Sequence, residues 1–373
     1  MKNRIYLSPP YMSGLEKDSL IKAYESNWIA PTGPQVDMFE NEIKEYVGVN
    51  NACALSSGTA ALHLSLKILG IKSGDYILCP SLTFVATANS ILYVDAEPVF
   101  IDVDPLTWTL DINILENAIK KYKPKAIITV DLYGQSCDYD NITELCSKYN
   151  VIIIEDSAEA LGSKYKKTRC GGFGSMSILS FNGNKIITTS GGGMILSQNE
   201  TYTKKAKFLA SQAREPELHY EHKQLGYNYR LSNLLAALGR GQLVHLNSFI
   251  KKRRKIFDNY EKSLSQFEGV SFMKEPSYSH SNRWLTTLTF DKKKCRVTPN
   301  KIINYLQKEN IESRPVWKPM HLQPLFKGCK YLNIDDKDFS KDLFLNGLCL
   351  PSGVSLGKKD QNRIIDIISS LLN

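Results

Sequence analysis

Residues 177–196, SILSFNGNKIITTSGGGMIL, place one lysine, Lys185, between two apolar runs. The runs at 178–181 and 194–196 predict buried strands, because each is short, apolar and close to Gly or Asn. The glycines at 191–193 let another group approach the backbone closely. A lysine at the end of buried strands suits Schiff-base chemistry, which needs an unprotonated amine. Taken alone, Lys185 also fits a solvated loop.

The bulk composition bounds the class of protein. A length of 373 residues exceeds what one hydrophobic core usually holds, and it predicts two domains, at 1–245 and 246–373. Residues 1–10 lack the apolar core of a signal peptide, and no apolar run is long enough to cross a bilayer. The eight cysteines include no C-x-x-C pair, which favours reduced thiols. We therefore expect a cytoplasmic protein.

The formal net charge of +9 raises the question of nucleic-acid binding. Its densest cluster, KKRRK at 251–255, follows a helical pattern and has no interleaved aromatic residues. Such a run is typical of one solvated helix face, so no nucleic-acid partner is expected. A positive field also attracts small anionic substrates.

Strand and helix patterns alternate between residues 51 and 155. This alternation predicts an α/β fold with a mostly parallel sheet and helices on both faces. Residues 231–264 predict a nearly continuous helix, and the mixed pattern after residue 245 indicates a smaller α+β domain. Ligands of such sheets gather at the carboxyl ends of the strands. Those ends carry Phe84, residues 131–133, Asp156 and the segment of Lys185.

Two charged residues stand at the ends of predicted buried strands. Asp156 follows the apolar strand at 151–155, and Lys185 follows the run at 178–181. Burying a carboxylate is costly without a cationic partner. Pyridoxal phosphate (PLP) would satisfy both residues, because its aldehyde suits the lysine and its protonated ring nitrogen suits the aspartate.

The same cofactor needs a phosphate site and a ring contact. Gly58 and Thr59 stand at a predicted strand-to-helix turn, where free amide groups bind anions, and Ser180 offers a hydroxyl. Phe84 is the candidate for stacking on the ring. The alternatives are an ordinary helix cap by Ser57 or Thr59 and, for Phe84, packing in the core.

Five motifs follow one another along the chain: SSGTAAL at 56–62, TFVAT at 83–87, EDSAEALG at 155–162, SFNGNK at 180–185 and GYNYRLS at 226–232. Together they resemble the DegT/DnrJ/StrS family of PLP-dependent sugar aminotransferases, over essentially the whole chain. The resemblance implies the aspartate aminotransferase fold (PLP fold type I), with a large cofactor-binding domain and a small C-terminal domain. Within the family, SFNGNKIITTSGGGM at 180–194 and HYEH at 219–222 resemble the bacillosamine-pathway branch, which aminates UDP-4-keto-6-deoxy-N-acetylglucosamine.

The resemblance implies roles for matching positions. Lys185 would bind the cofactor covalently and carry a proton to and from the sugar C4, while Asp156 would keep the ring nitrogen protonated. Glu159 would lie near the phenolic oxygen, where many family members have glutamine. The residues implied to hold the phosphate are Gly58, Thr59 and Ser180.

Asn228 would reach the phosphate of the neighbouring subunit's cofactor, which implies a homodimer with shared active sites. Without the family, a turn residue is the simpler interpretation of Asn228. The paired histidines at 219 and 222 lack further ligands, so no metal is expected. Five residues are candidates for binding a nucleotide diphosphate, because Arg suits phosphate and Trp suits a base: Arg230, Arg314, Trp317, Lys318 and His321. For each of them the alternative is an ordinary structural role.

The resemblance implies an enzyme that moves the amino group of L-glutamate to C4 of a UDP-linked 4-keto-6-deoxy-N-acetylhexosamine for a bacterial glycan. No residue of the sequence points to glutamate as the donor. The alternatives within the fold are an aminotransferase for a dTDP- or GDP-linked keto sugar and a PLP-dependent sugar dehydratase. Dehydratases of this type have histidine in place of the lysine, so Lys185 disfavours them. A catalytically silent binding protein is expected to have lost Lys185 or Asp156, and both are present.

Overall fold

The computed structural model describes residues 3–373. The helices are α1 (Leu15–Glu25), α2 (Pro34–Val47), α3 (Gly58–Ile68), α4 (Val85–Leu92), α5 (Ile112–Tyr122), α6 (Tyr139–Tyr149), α7 (Glu200–Ala210), α8 (Asn233–Leu243), α9 (Leu246–Leu264), α10 (Pro299–Lys308), α11 (Phe339–Asn346) and α12 (Lys358–Leu372). Short 3-10 turns lie at Leu132–Gly134, Met320–Leu322 and Pro324–Phe326.

The strands are β1 (Asn51–Leu55), β2 (Tyr76–Pro80), β3 (Glu97–Ile101), β4 (Ala126–Val130), β5 (Ile152–Asp156), β6 (Lys164–Tyr165), β7 (Thr168–Arg169), β8 (Met176–Ser180), β9 (Gly193–Ser197), β10 (Val270–Phe272), β11 (Ser279–His280), β12 (Thr286–Phe290), β13 (Arg314–Pro315), β14 (Lys330–Leu332) and β15 (Gly347–Leu350). The strands predicted around Lys185 and before Asp156 are therefore confirmed, within one or two residues at their ends.

The larger sheet has the strand order β1-β9-β8-β5-β4-β2-β3-β14 among the described residues. Strand β9 runs antiparallel to β1 and β8, and the other neighbours pair in parallel. Adjacent residues of a strand face opposite sides: Cys79 packs in the core under α3, α4 and α7, whereas Leu78 packs in the core under α5 and α6. The predicted α/β fold with a mostly parallel sheet is confirmed.

A second sheet, of order β10-β12-β15-β13, is antiparallel throughout. Helices α9, α10 and α12 cover it, and their apolar residues share one core with Leu288 and Leu348 of the sheet. A small sheet of β11, β6 and β7 joins the two regions. Helix α9 begins at Leu246, beside the domain boundary placed at residue 245, and that boundary stays a prediction.

The continuous helix predicted over 231–264 is wrong at residues 244–245, where α8 ends and α9 begins. The break has a packing reason. Helix α8 lies against α1 and α2, while α9 runs on to the second sheet. Gly241 lets α8 approach α1, since a Cβ on this residue would lie 3.0 Å from the Glu16 Cα.

The basic run at 251–255 is not one solvated face. Arg253 is 1% exposed, and its guanidinium donates to the backbone oxygen of Trp284 and to the Ser8 hydroxyl. Arg254 forms an ion pair with Glu275 at 2.7 Å. Of the helices described, none combines the length and apolar character needed to cross a bilayer.

Gly193, the first residue of β9, lies in close contact with the turn that follows β1. A Cβ on Gly193 would lie 2.3 Å from the Ser57 carbonyl carbon and 2.4 Å from the Gly58 nitrogen. We expect Gly193→Ala to lower the free energy of unfolding by about 1–3 kcal/mol, because backbone atoms must move apart. Urea denaturation measures this change.

The matched control is Gly191→Ala, where the nearest atom to the new Cβ would be the Ser56 oxygen at 3.9 Å. This variant should unfold at nearly the wild-type urea concentration. Equal loss of stability in both variants would contradict the close approach as the cause.

Candidate active site

A cleft of about 290 Å³ opens at the carboxyl ends of the parallel strands. Strands β5 and β8 end at its floor, in Asp156 and Ser180, and the turn after β1 forms one wall. The structure thus brings together residues from four of the five sequence motifs, and the motif at 226–232 contributes none. The predicted site residues that line this cleft are Gly58, Thr59, Phe84, Asp156, Glu159, Ser180, Lys185 and Trp317.

Lys185 has only 10% of its side chain exposed. Its amine lies 3.5 Å from Oε1 of Glu159 and 4.3 Å from the centre of the Trp284 ring. The backbone beside it is also held, because the Asn184 oxygen accepts hydrogen bonds from Ser8 at 2.8 Å and from the Trp284 indole at 2.7 Å. The lysine is therefore an ordered residue of the cleft, and the alternative of a solvated loop is wrong.

Glu159 connects the lysine to a strained backbone segment. Its Oε2 accepts the backbone N–H of Tyr133 at 2.7 Å. Tyr133 has a φ of 52°, an uncommon angle for a bulky residue that needs support from its surroundings. Burial raises the pKa of Glu159 to about 7, although the charge of Lys185 opposes the shift.

Asp156 is 6% exposed and has neutral hydrogen-bond partners. Its Oδ2 accepts the Thr87 hydroxyl at 2.8 Å, and its Oδ1 accepts the backbone N–H of Ala158 at 3.2 Å. Burial raises the pKa of this carboxyl above its usual range. Within residues 3–373 no cation forms an ion pair with it, so a cationic group of a ligand would complete its surroundings.

The opposite end of the cleft suits an anion. Helix α3 begins at Gly58, and the first amides of a helix have no partner within it. The Ser57 hydroxyl accepts the N–H of Ala60 at 3.0 Å, so the cap expected as the alternative is present as well. A Cβ on Gly58 would lie 3.2 Å from the Cβ of Ser180, so the glycine keeps the space beside Ser180 open.

Phe84 stands at the solvent side of the cleft. It is 51% exposed, which excludes packing in the core as its main role. Its ring centre lies 5.4 Å from that of Trp317, and the two planes are tilted by 53°.

Five predicted site residues do not line this cleft. Asn228 is exposed on the segment after the 219–222 motif. Arg230 is 8% exposed, and its Nε and Nη1 find no hydrogen-bond partner in the described chain. Arg314 pairs with Glu312 at 2.9 Å on the surface. The other two, Lys318 and His321, lie on the segment after Trp317.

Sequence reasoning missed three residues that touch the central groups: Thr87, Tyr133 and Trp284. Thr87 belongs to the TFVAT motif, so its presence near the site had a signal. The sequence placed Tyr133 at a strand end but gave no sign of its φ. Trp284 had no signal, because it lies just before β12, about a hundred residues after Lys185 in the chain, and reaches the site only through the tertiary fold.

Within residues 3–373, one buried cluster brings three side chains close enough to share a metal ion: Asp131, Glu155 and Cys170. Protein donors already occupy it. The Ser157 hydroxyl lies 2.7 Å from both carboxylates, and Glu155 also accepts the backbone N–H of Gly171. Burial, together with the nearby Glu155 carboxylate, raises the pKa of Asp131 well above its usual range.

The sequence profile of the DegT/DnrJ/EryC1/StrS aminotransferase family matches residues 10–369. The chain belongs to this family. A solved structure of Spr1654 from Streptococcus pneumoniae, a candidate sugar aminotransferase in its PLP form, superposes with a TM-score of 0.90 at 26% identity over 100% of both chains. A DegT/DnrJ/EryC1/StrS aminotransferase from Brucella abortus has a TM-score of 0.88 at 30% identity and covers 96% of this chain and 95% of its own. The predicted PLP fold type I is confirmed.

Curated relatives agree with the enzyme class. EpsN of Bacillus subtilis (strain 168), a candidate pyridoxal phosphate-dependent aminotransferase, is 51% identical over 100% of this chain and 97% of EpsN. GDP-perosamine synthase of Caulobacter vibrioides is 36% identical over 99% and 98%. The UDP-4-amino-4,6-dideoxy-N-acetyl-β-L-altrosamine transaminase of Campylobacter jejuni is 34% identical over 95% and 94%.

The enzyme is therefore a sugar aminotransferase, and pyridoxal phosphate is its cofactor. The cleft fits this group on its own geometry: a buried lysine, a buried carboxyl without a cation, and a helix N-terminus beside a hydroxyl. The bacillosamine branch is not confirmed, since the names of the relatives include both a GDP-linked and a UDP-linked sugar.

The raised pKa of Glu159 predicts a pH-dependent stability in the cofactor-free protein. The neutral carboxyl contributes stability fully below about pH 4.3, and this contribution is lost as the pH rises through the folded-state pKa of about 7. Glu159→Gln cannot ionise. We expect its thermal stability relative to the wild type to increase between about pH 5 and pH 8.5, by up to about 3 kcal/mol.

Differential scanning calorimetry across this pH range measures the trend. The exposed Glu45→Gln variant serves as the control and should follow the wild-type curve. Parallel curves for Glu159→Gln and the wild type would show that Glu159 ionises as an ordinary carboxyl.

Proposed function

We propose that the enzyme transfers the amino group of L-glutamate to C4 of a UDP-linked 4-keto-6-deoxy-N-acetylhexosamine, in the cytoplasm, for the synthesis of a bacterial glycan of the bacillosamine type. In the first half-reaction L-glutamate becomes 2-oxoglutarate, and in the second the C4 keto group becomes an amine. The observation that carries this proposal is the shared cleft of Lys185, Glu159 and Asp156.

Lys185 acts as the base and acid of both half-reactions. Bound pyridoxal phosphate would supply an aldehyde to carry the amino group and a ring to accept electrons. The Lys185 amine would take a proton from Cα of glutamate in the first half-reaction and deliver a proton to C4 of the sugar in the second. Its position between Glu159 and the Trp284 ring limits the directions in which the amine can reach.

Asp156 and Glu159 hold protons at two other atoms. Asp156 would accept a hydrogen bond from the protonated ring nitrogen, and that cation would keep the buried carboxyl ionised. Glu159, whose pKa is about 7, would share a proton with the phenolic oxygen of the cofactor. The N–H of Tyr133 holds Oε2 of Glu159, which leaves Oε1, on the side of the Lys185 amine, for this contact.

The phosphate would lie at the N-terminus of α3. Gly58 and Thr59 would donate their amide groups, and Ser180 its hydroxyl. Asn228 lies outside this cleft and is exposed, as expected if it serves the phosphate site of a second subunit. We therefore include a homodimer with shared active sites in the proposal.

The nucleotide sugar would enter past Phe84 and Trp317, the aromatic rings on the solvent side. Arg230, Arg314, Lys318 and His321 lie outside the cleft of one subunit, so any direct contact with a nucleotide needs either a second subunit or a movement of their segments. A GDP-linked keto sugar is the second candidate substrate, because the GDP-perosamine synthase of Caulobacter vibrioides is 36% identical and the UDP-sugar transaminase 34%.

Lys185→Ala should lose turnover by at least about a thousandfold, because both the covalent link and the proton carrier are removed. Borohydride reduction of the wild type should leave a pyridoxyl phosphate adduct on the peptide that contains Lys185, as seen by mass spectrometry. Lys185→Arg keeps the positive charge and should be equally inactive. A fully active variant, or an adduct on another lysine, would refute the assignment.

A panel of UDP-, GDP- and dTDP-linked 4-keto-6-deoxy sugars tests the substrate. With L-glutamate as donor, the UDP-linked N-acetylhexosamine should give the highest kcat/KM, and mass spectrometry should find one keto oxygen replaced by an amine. A higher kcat/KM for the GDP-linked sugar would select the second candidate. An enzyme inert with every keto sugar would remove the proposed substrate class.

A further inference from the structure

His321 is bound on both sides by the protein. Its Nδ1 lies 2.6 Å from the Ser81 hydroxyl, and its Nε2 lies 3.0 Å from Oδ2 of Asp338. The imidazole also stacks on Tyr331, with ring centres 3.8 Å apart and planes 7° from parallel. Only 10% of its side chain is exposed, so neither ring nitrogen is free for a substrate.

The hydrogen-bond roles follow from the partners. Asp338 Oδ1 already accepts the Tyr331 hydroxyl and the N–H of Lys341, so the carboxylate acts as an acceptor. Nε2 of His321 therefore carries a proton and donates a hydrogen bond to Asp338, and in the neutral imidazole Nδ1 accepts one from the Ser81 hydroxyl. The charged acceptor strengthens the chain of bonds.

This chain joins two segments of the cleft wall. Ser81 directly follows β2 and stands three residues before Phe84, and His321 stands four residues after Trp317. A further backbone bond links the same segments, from the N–H of Met320 to the oxygen of Ser81 at 2.8 Å. The spacing of the Phe84 and Trp317 rings thus depends on these hydrogen bonds between the segment of Ser81 and the segment of His321.

The other end of the chain is fixed to the sheet. Asp338 caps α11, and Tyr331 lies in β14, which pairs with β3 at the edge of the larger sheet. His321 therefore connects the segment that carries Trp317 to the edge of the larger sheet, through its contacts with Asp338 and Tyr331. The Tyr133 hydroxyl supports the same segment, since it accepts the N–H of Trp317 at 3.2 Å.

We propose that His321 is a positioning residue that, through Ser81 and Asp338, sets the separation of Phe84 and Trp317 and so the fit of the nucleotide sugar. The inference rests on the proposed function, in which a large nucleotide sugar and the small glutamate use one cleft. Displacing the two rings should impair the half-reaction of the sugar and spare that of glutamate, because Lys185, Glu159 and Asp156 keep their own contacts.

The test uses the PLP-loaded enzyme and the variants Ser81→Ala, His321→Phe and their double variant. Single-turnover absorbance with L-glutamate measures the first half-reaction, and steady-state kinetics give KM and kcat for the best keto sugar of the panel. We expect the glutamate rate to stay within about twofold. The KM for the sugar should rise on the order of tenfold to a hundredfold with a smaller change in kcat.

Two further variants separate positioning from a general loss of stability. Asp338→Asn keeps an acceptor for Nε2 and should retain most of the affinity for the sugar. The exposed His280→Gln should behave as the wild type. Because Ser81 and His321 act as one unit, the double variant should be no worse than the worse single variant.

Equal loss of both half-reactions, unchanged KM for the sugar, or multiplying effects in the double variant would overturn the inference. A wild-type enzyme that is inert with every keto sugar would instead refute the proposed function and this inference with it. Isothermal titration calorimetry with UDP and GDP measures the nucleotide affinity of the PLP-loaded variants without turnover. This affinity should fall in Ser81→Ala and His321→Phe and stay near the wild-type value in Asp338→Asn and His280→Gln.

Discussion

The structure depends on one electrostatic arrangement, in which Lys185, Glu159 and Asp156 are withdrawn from water at the floor of a single cleft. Burying ionisable groups costs free energy, and this arrangement is stable only because each of the three side chains has fixed neighbours. Thr87 and Ala158 hold one carboxyl, Tyr133 holds the other, and Trp284 underlies the amine. The helices and both sheets are arranged so that these neighbours, drawn from distant parts of the chain, arrive at one place.

The strained backbone at Tyr133 shows how the fold supports the site. A φ of 52° in a fully buried aromatic residue is tolerated because the ring packs between Trp284 and Trp317. The same conformation points the N–H at Glu159. The packing of the ring thus offsets the backbone strain at Tyr133, and the strained backbone in turn holds the Glu159 carboxyl in one orientation beside Lys185.

The floor of the cleft could be predicted from the sequence, because its residues stand at the ends of strands or at the start of a helix that local sequence patterns reveal. Asp156 and Ser180 end apolar strands, and Gly58 begins a helix, so ordinary strand and helix patterns place them together. The walls could not be predicted. Trp284 and the Ser81 contact of His321 arise from tertiary pairing across long stretches of chain, for which one sequence carries no periodic signal. His321 was for that reason interpreted as a substrate contact, whereas the protein itself occupies both its nitrogens.

Strand β14 gives the larger sheet an edge that comes from near the end of the chain. Residues 330–332 are made long after β3, their neighbour in the sheet, and after much of the second sheet has been synthesised. The nascent chain therefore exposes an unpaired edge of β3 until residues 330–332 have left the ribosome. The cleft wall is complete only after this part of the chain has been made, so a chain that stops before residue 317 lacks both the strand and Trp317.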